Sequence, residues 1–109
     1  MKATIPMKRV IIIGDNDLSL RILDEIRSFG TSGYTYYVVH GRGAETHVRR
    51  LTKEDPPNIK IEVIATEALA HRILDHVADN YIQKYAMIAF IDSVEVLASE
   101  RLGSEIANP

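Results

Sequence analysis

Gly41-Arg42-Gly43 is the segment with the most chemistry to offer. Glycine tolerates positive φ and lets a ligand approach backbone N–H groups closely, which suits a nest for phosphate oxygens. Arg42 between the glycines, and Arg49 or Arg50 farther along, can add charge-assisted contacts to such oxygens. The same residues also fit a glycine turn with solvated arginines, and spacing alone leaves both readings standing. Other chemistries are thinner. Cysteine is absent, which excludes disulfides, thiolate metal sites and thiol nucleophiles. His71 and His76 stand five apart on one predicted helix, so they face different ways and lack the i, i+4 spacing of a metal pair. We read both as surface or packing histidines. His40 and His47 flank or occupy a loop, where a bound phosphate would be felt. No Ser-His-Asp order or nucleophile elbow is present. Gly14-Asp15-Asn16-Asp17 is acidic and would repel the phosphate that an acylphosphatase loop must cradle. Val10–Ile13 and Ile59–Ile64 carry no aromatic residue, so a sheet that stacks RNA bases is not expected.

These groups must be held by a framework, and the pattern supplies one. Val10-Ile11-Ile12-Ile13 is β-branched and is expected to stop as a strand at Gly14. Asp15-Asn16-Asp17 offers N-cap oxygens to a helix carrying Leu18, Ile22, Ile26 and Phe29 on one stripe, with Gly30 as its stop. Tyr34 to Val39 reads as a second strand. Residues 41–58 have no sustained period and read as one long loop, and a loop of that length in a small domain is usually functional. Ile59-Lys60-Ile61-Glu62-Val63 alternates as a strand with one wet face. Thr66 caps a helix whose buried stripe is Ala70, Ile73, Leu74, Val77 and Tyr81. Ala86 to Ile91 is the fourth strand, and Val94 to Leu97 a short extra strand or edge. Arg21-Ile22-Leu23-Asp24 recurs as Arg72-Ile73-Leu74-Asp75, each mid-helix, which suggests a doubled unit. The expected fold is α+β: a ferredoxin-like βαββαβ sandwich, an antiparallel sheet with both helices on one face.

The 109 residues suit one domain, with residues 1–7 as a tail, 8–98 as the folded body and 99–109 as a second tail. Hydrophobic content of 46% and charged content of 26% fit a folded chain. A net charge of −2 argues against a general binder of nucleic acid. The longest apolar run, Tyr85 to Ile91, falls far short of the ~20 residues of a membrane span. No secretory pattern opens the chain, so a cytoplasmic protein is expected. Two helices cover only one sheet face, yet Val10–Ile13, Ala86–Ile91 and the second strand are apolar on both. Leaving such strands wet would expose a large patch, so self-association is expected.

With these features in view, the chain resembles the PII-like signalling family. The resemblance rests on Gly33-Tyr34-Thr35, Gly41-Arg42-Gly43, Ile59-Lys60-Ile61-Glu62-Val63 and Tyr85-Ala86-Met87-Ile88, and it spans Lys8 to about Leu97. It is most similar to the SbtB-like, carboxysome-associated branch linked to inorganic-carbon uptake. The resemblance implies a homotrimer with adenine nucleotides (AMP, cyclic AMP, ADP, ATP) between subunits. It implies a regulatory and not an enzymatic role. It also implies a T-loop, residues 41–58, that docks on a membrane transporter, with peripheral membrane location through that partner and bicarbonate as a further ligand. Its site would comprise Gly33, Tyr34, Thr35, Gly41, Arg42, Gly43, Arg49, Arg50, Ile64, Tyr85, Ala86 and Met87, with no metal. The common PII pattern has a glycine-rich turn and a lysine where this chain has Met87, and paired arginines where it has Ala98 and Glu100. Fewer cations imply AMP, cyclic AMP or ADP over ATP. The loop has no tyrosine to uridylylate, and the tail has no cysteine pair. The other reading is a small trimeric enzyme or a CutA-like metal-handling protein using the same clefts.

Overall fold

Asp15 turns the chain from strand to helix. Its Oδ1 accepts the Leu18 N–H at 2.9 Å, satisfying a donor that the first helical turn leaves open. Thr66 does the same for Leu69 at 3.3 Å. A computed structural model describes residues 3–31, 33–41 and 57–99. Its elements are β1 (Thr4–Asp15), α1 (Asn16–Arg27), β2 (Thr35–His40), β3 (Pro57–Ala65), α2 (Glu67–Asn80) and β4 (Ile88–Leu97). After α1 the chain reverses through Gly30, whose φ of 93° is a left-handed conformation that glycine adopts without strain.

The strands form one sheet in the order β2-β3-β1-β4, and every neighbouring pair is antiparallel. This is the ferredoxin-like βαββαβ sandwich. The registers run without a bulge, so faces follow from parity. Val10, Ile12, Ile59, Ile61, Val63 and Ala65 face the helices and pack with Leu18, Ile22, Ile26, Ala70, Ile73, Val77 and Tyr81. The repeated tetrapeptide has a structural counterpart. Ile22 and Ile73 are both fully buried. Arg21 lies over the Tyr81 ring at 5.5 Å, and Arg72 lies over the Phe29 ring at 4.6 Å. Each arginine therefore reaches across the helix seam to the aromatic residue that follows the other helix.

Several boundaries differ from the sequence reading. Gly14 does not stop β1; it pairs with Ile59, and a Cβ there would lie 3.3 Å from Ser19 Oγ and 3.5 Å from Met87 Cβ. Glycine here lets Ser19 and Met87 pack closely on the strand and does not break it. Residues 4–7 are not a tail, because β1 begins at Thr4 and pairs with β4 up to Leu97. Pro6 fits there because β3 pairs with β1 only from Lys8 onward, leaving one side of the ribbon open. Pro57 and Asn58 belong to β3 and not to the long loop. β4 starts at Ile88 and absorbs Val94–Leu97. Its polar break, Asp92-Ser93, is bridged by Arg9 and Lys8 of β1. Leu74, placed on the buried stripe, is only half-buried.

The face without helices is mixed. Ile88 (54% exposed), Phe90 (41%) and Ile64 (42%) are open to solvent, while the central Ile11 is already buried. Between them a polar chain crosses all four strands. Arg9 grips Asp92 at 3.0 and 2.6 Å and Glu62 at 3.1 Å, and the Tyr37 hydroxyl donates to Glu62 at 3.4 Å. The hydrogen bond from Arg9 holds the Asp92 carboxyl below its ordinary range, against partial desolvation. Among the described residues no helix is long and apolar enough to cross a membrane.

Candidate functional site

The expected ligand residues fall into two groups. Gly33 and Tyr34 lead into β2, which opens at Thr35 opposite Glu62. Ile64 lies one same-face step farther along β3, so Thr35 and Ile64 share the helix-free face at this end of the sheet. Tyr34 turns the other way. Its ring stacks on Tyr36 at 6.2 Å under the Arg27 guanidinium at 5.7 Å.

The second group sits at the opposite end, ~20 Å away along β2 at the usual rise per residue. Gly41 leaves β2 just after the His40–Pro57 pair. Its φ is not positive, and a Cβ there would meet no atom within 4 Å. The chain's own backbone geometry therefore does not demand glycine at 41. Tyr85, Ala86 and Met87 precede β4 at this same end, since Ile88 pairs with Ile13. Three strand spacings, ~14 Å, still separate them from β2. Arg42, Gly43, Arg49 and Arg50 lie outside the described residues.

Within the second group the side chains are committed unequally. Met87 packs on the core against Gly14. Tyr85 turns to the helical layer, with its ring 6.1 Å from Tyr81, and lines the same groove as Arg21. Ala86 is exposed between them, so a ligand would meet chiefly its backbone.

A polar cluster that the sequence reading missed backs this loop. Glu25 Oε1 accepts the Tyr81 hydroxyl at 2.5 Å and faces His76 Nε2 at 2.8 Å. Asn80 Nδ2 donates to the His76 carbonyl at 2.8 Å. These residues, with Arg21, Lys84 and Tyr85, line a groove of about 280 Å³. Partial burial pushes the Glu25 carboxyl up, but hydrogen bonds from Tyr81 and His76 outweigh it, leaving it below its ordinary range. Burial and the bond to Glu25 push the Tyr81 hydroxyl up. His76, read as a packing residue, thus joins α2 to α1 through Glu25. The one available signal was the placement of Glu25 on the seam side of α1. Among the described residues no group of three or more His, Asp or Glu side chains is placed to hold a metal ion.

Residues 7–101 match the family described as nitrogen regulatory protein P-II. The chain belongs to the P-II family. A PII-like signalling protein of Thermus thermophilus has 31% identity and a TM-score of 0.72, over 93% of this chain and 98% of that one. CPII of Thiomonas intermedia, a nitrogen regulatory PII-like protein solved with ADP, AMP and bicarbonate, shares 18% identity at a TM-score of 0.72, over 89% of this chain and 99% of that one. The same protein with ADP, AMP and acetate gives 21% and 0.73, over 88% and 93%. For this P-II chain the two-ended arrangement of β2 and β4 is therefore the frame in which a regulatory site must be sought.

Proposed function

We propose that this P-II chain is a regulatory subunit that binds adenine nucleotides in clefts between the protomers of a homotrimer. The observation that carries the reading is the separation of the candidate residues. One protomer holds Gly33, Thr35 and Ile64 at one end of the sheet and Gly41 and Tyr85–Met87 at the other, so neither group alone encloses a purine nucleotide. Two copies meeting through their helix-free faces would bring unlike ends together. The half-exposed Ile64, Ile88 and Phe90 side chains supply the reason to meet, each with about half of the roughly 1.5–3 kcal/mol of full burial still to gain.

CPII, a similar fold, is solved with ADP, AMP and bicarbonate, which supports the same ligand class here. Met87 and Ala98 stand where the common PII pattern has cations. The preferred ligands are accordingly AMP, cyclic AMP or ADP, with ATP held less well. Arg42, Gly43, Arg49 and Arg50, between β2 and β3, would add phosphate contacts. Ligand ordering of that loop would then change the surface offered to a partner, an order–disorder switch. The SbtB-like resemblance points to a bicarbonate transporter or another component of inorganic-carbon uptake as that partner.

Calorimetry with AMP, cyclic AMP, ADP and ATP on the sized oligomer tests the reading. The expected result is a trimer that binds AMP or ADP more tightly than ATP. ATP bound at least about tenfold tighter than AMP, a difference of about 1.4 kcal/mol, would overturn the preference. A monomer indifferent to every adenylate would overturn the whole reading. Stabilisation by divalent metals alone, or steady nucleotide turnover, would favour the CutA-like or enzymatic class.

A further inference from the structure

Residues 81–87 carry the chain from α2 into β4, and their own backbone bonds fix only half of that path. The N–H groups of Tyr81 and Ile82 bond the Val77 carbonyl at 2.9 and 3.0 Å, and those of Lys84 and Tyr85 bond the Tyr81 carbonyl at 3.0 and 3.1 Å. Side chains anchor the loop further. Tyr81 donates to Glu25 of α1 and its ring lies beneath the Arg21 guanidinium at 5.5 Å, with the Tyr85 ring 6.1 Å away. Arg21 and Glu25 are one helical turn apart and so present to the same side. Glu25 Oε1 faces two donor groups at once, Tyr81 and His76, which pins its rotamer. The third anchor is Met87 against Gly14, at the other end of the α1 entry.

We propose that Arg21 and Glu25 are positioning residues that clamp the 81–87 loop through Tyr81, and so set where the Ala86 backbone meets a nucleotide. This rests on the nucleotide reading above for its ligand, but the clamp itself is a property of the single chain. The Tyr81 ring lies in the core, while its hydroxyl reaches Glu25 at the groove. The ring serves packing, and the hydroxyl has no packing task that phenylalanine would fail. A site whose donors are held in place beforehand loses less ordering entropy on binding. Loosening the clamp should therefore weaken the ligand without unfolding the chain.

The test uses Tyr81→Phe, Glu25→Ala and the double variant, each checked for unchanged oligomer size and circular dichroism. Amide exchange at Lys84 and Tyr85 reads the clamp, and AMP calorimetry reads its consequence. A charge-assisted bond of this kind, once lost, should speed exchange about tenfold at both amides. AMP affinity should fall about threefold or more, with the double variant no worse than the worse single one, because both act on one bond. Unchanged exchange in both single variants would overturn the clamp. Faster exchange with AMP affinity at the parental level would overturn its role at the site. Additive losses in the double variant would show that the two residues act separately, which also contradicts the proposal. If the parent binds no adenine nucleotide, the proposed function falls, and the exchange measurement still decides the clamp.

Discussion

At the scale of single residues, charge pairs across elements do work that no local pattern announces. Glu25 and Asp92 both have carboxyl pKa values below their ordinary range, Asp92 through Arg9 and Glu25 through Tyr81, His76 and Arg21. A depressed pKa favours the folded state above the unfolded pKa, and that contribution is lost as pH falls through the folded value. The melting temperature should therefore fall below about pH 4, where ordinary carboxyls begin to protonate. Thermal melts between about pH 3 and 7 should show a shallower acid slope in Glu25→Gln than in the parent; equal slopes would remove Glu25 from the account. The caps were legible in the sequence because Asp15 and Thr66 act three residues away, on Leu18 and Leu69. The Glu25–Tyr81–His76 cluster was not, because Glu25 stands more than 50 residues from both of its partners in the chain.

At the scale of elements, the sequence pattern located every described helix and strand but not their ends. Asp92-Ser93 looked like a stop to β4, and Thr4–Met7 looked like a tail beside Pro6. Both belong to one long β1–β4 ribbon, because Arg9 and Lys8 partner the polar pair from the neighbouring strand. Only register brings those residues together, and register is not a local property. The ribbon makes a prediction that a tail would not. Deleting residues 1–7 removes the pairs from Thr4–Leu97 to Met7–Val94 and the buried Met7 side chain. The loss should be about 1.5–3 kcal/mol for Met7 alone, visible as a lower denaturant midpoint. An unchanged midpoint would return the segment to the status of a tail.

At the scale of the whole molecule, the apolar strands predict a covered helix-free face, and Ile64, Ile88 and Phe90 stand open on it in the single chain. The sequence did not show that Tyr37, Glu62, Arg9 and Asp92 cross that face as a connected polar chain. Four separate strands each contribute one member, and none stands out alone. Nor did it show that Thr35 and Ala86 lie at opposite ends of the sheet. That separation is the basis of the claim that each nucleotide cleft takes its two halves from different protomers. Subunit mixing tests it most directly. Thr35→Trp blocks one half and Ala86→Glu blocks the other, and neither variant alone should bind AMP. Co-refolded in equal amounts, they should regain about one quarter of the parental AMP sites, because that fraction of random neighbours pairs two intact halves. No recovery from co-assembled oligomers would place both halves in a single chain and contradict the account.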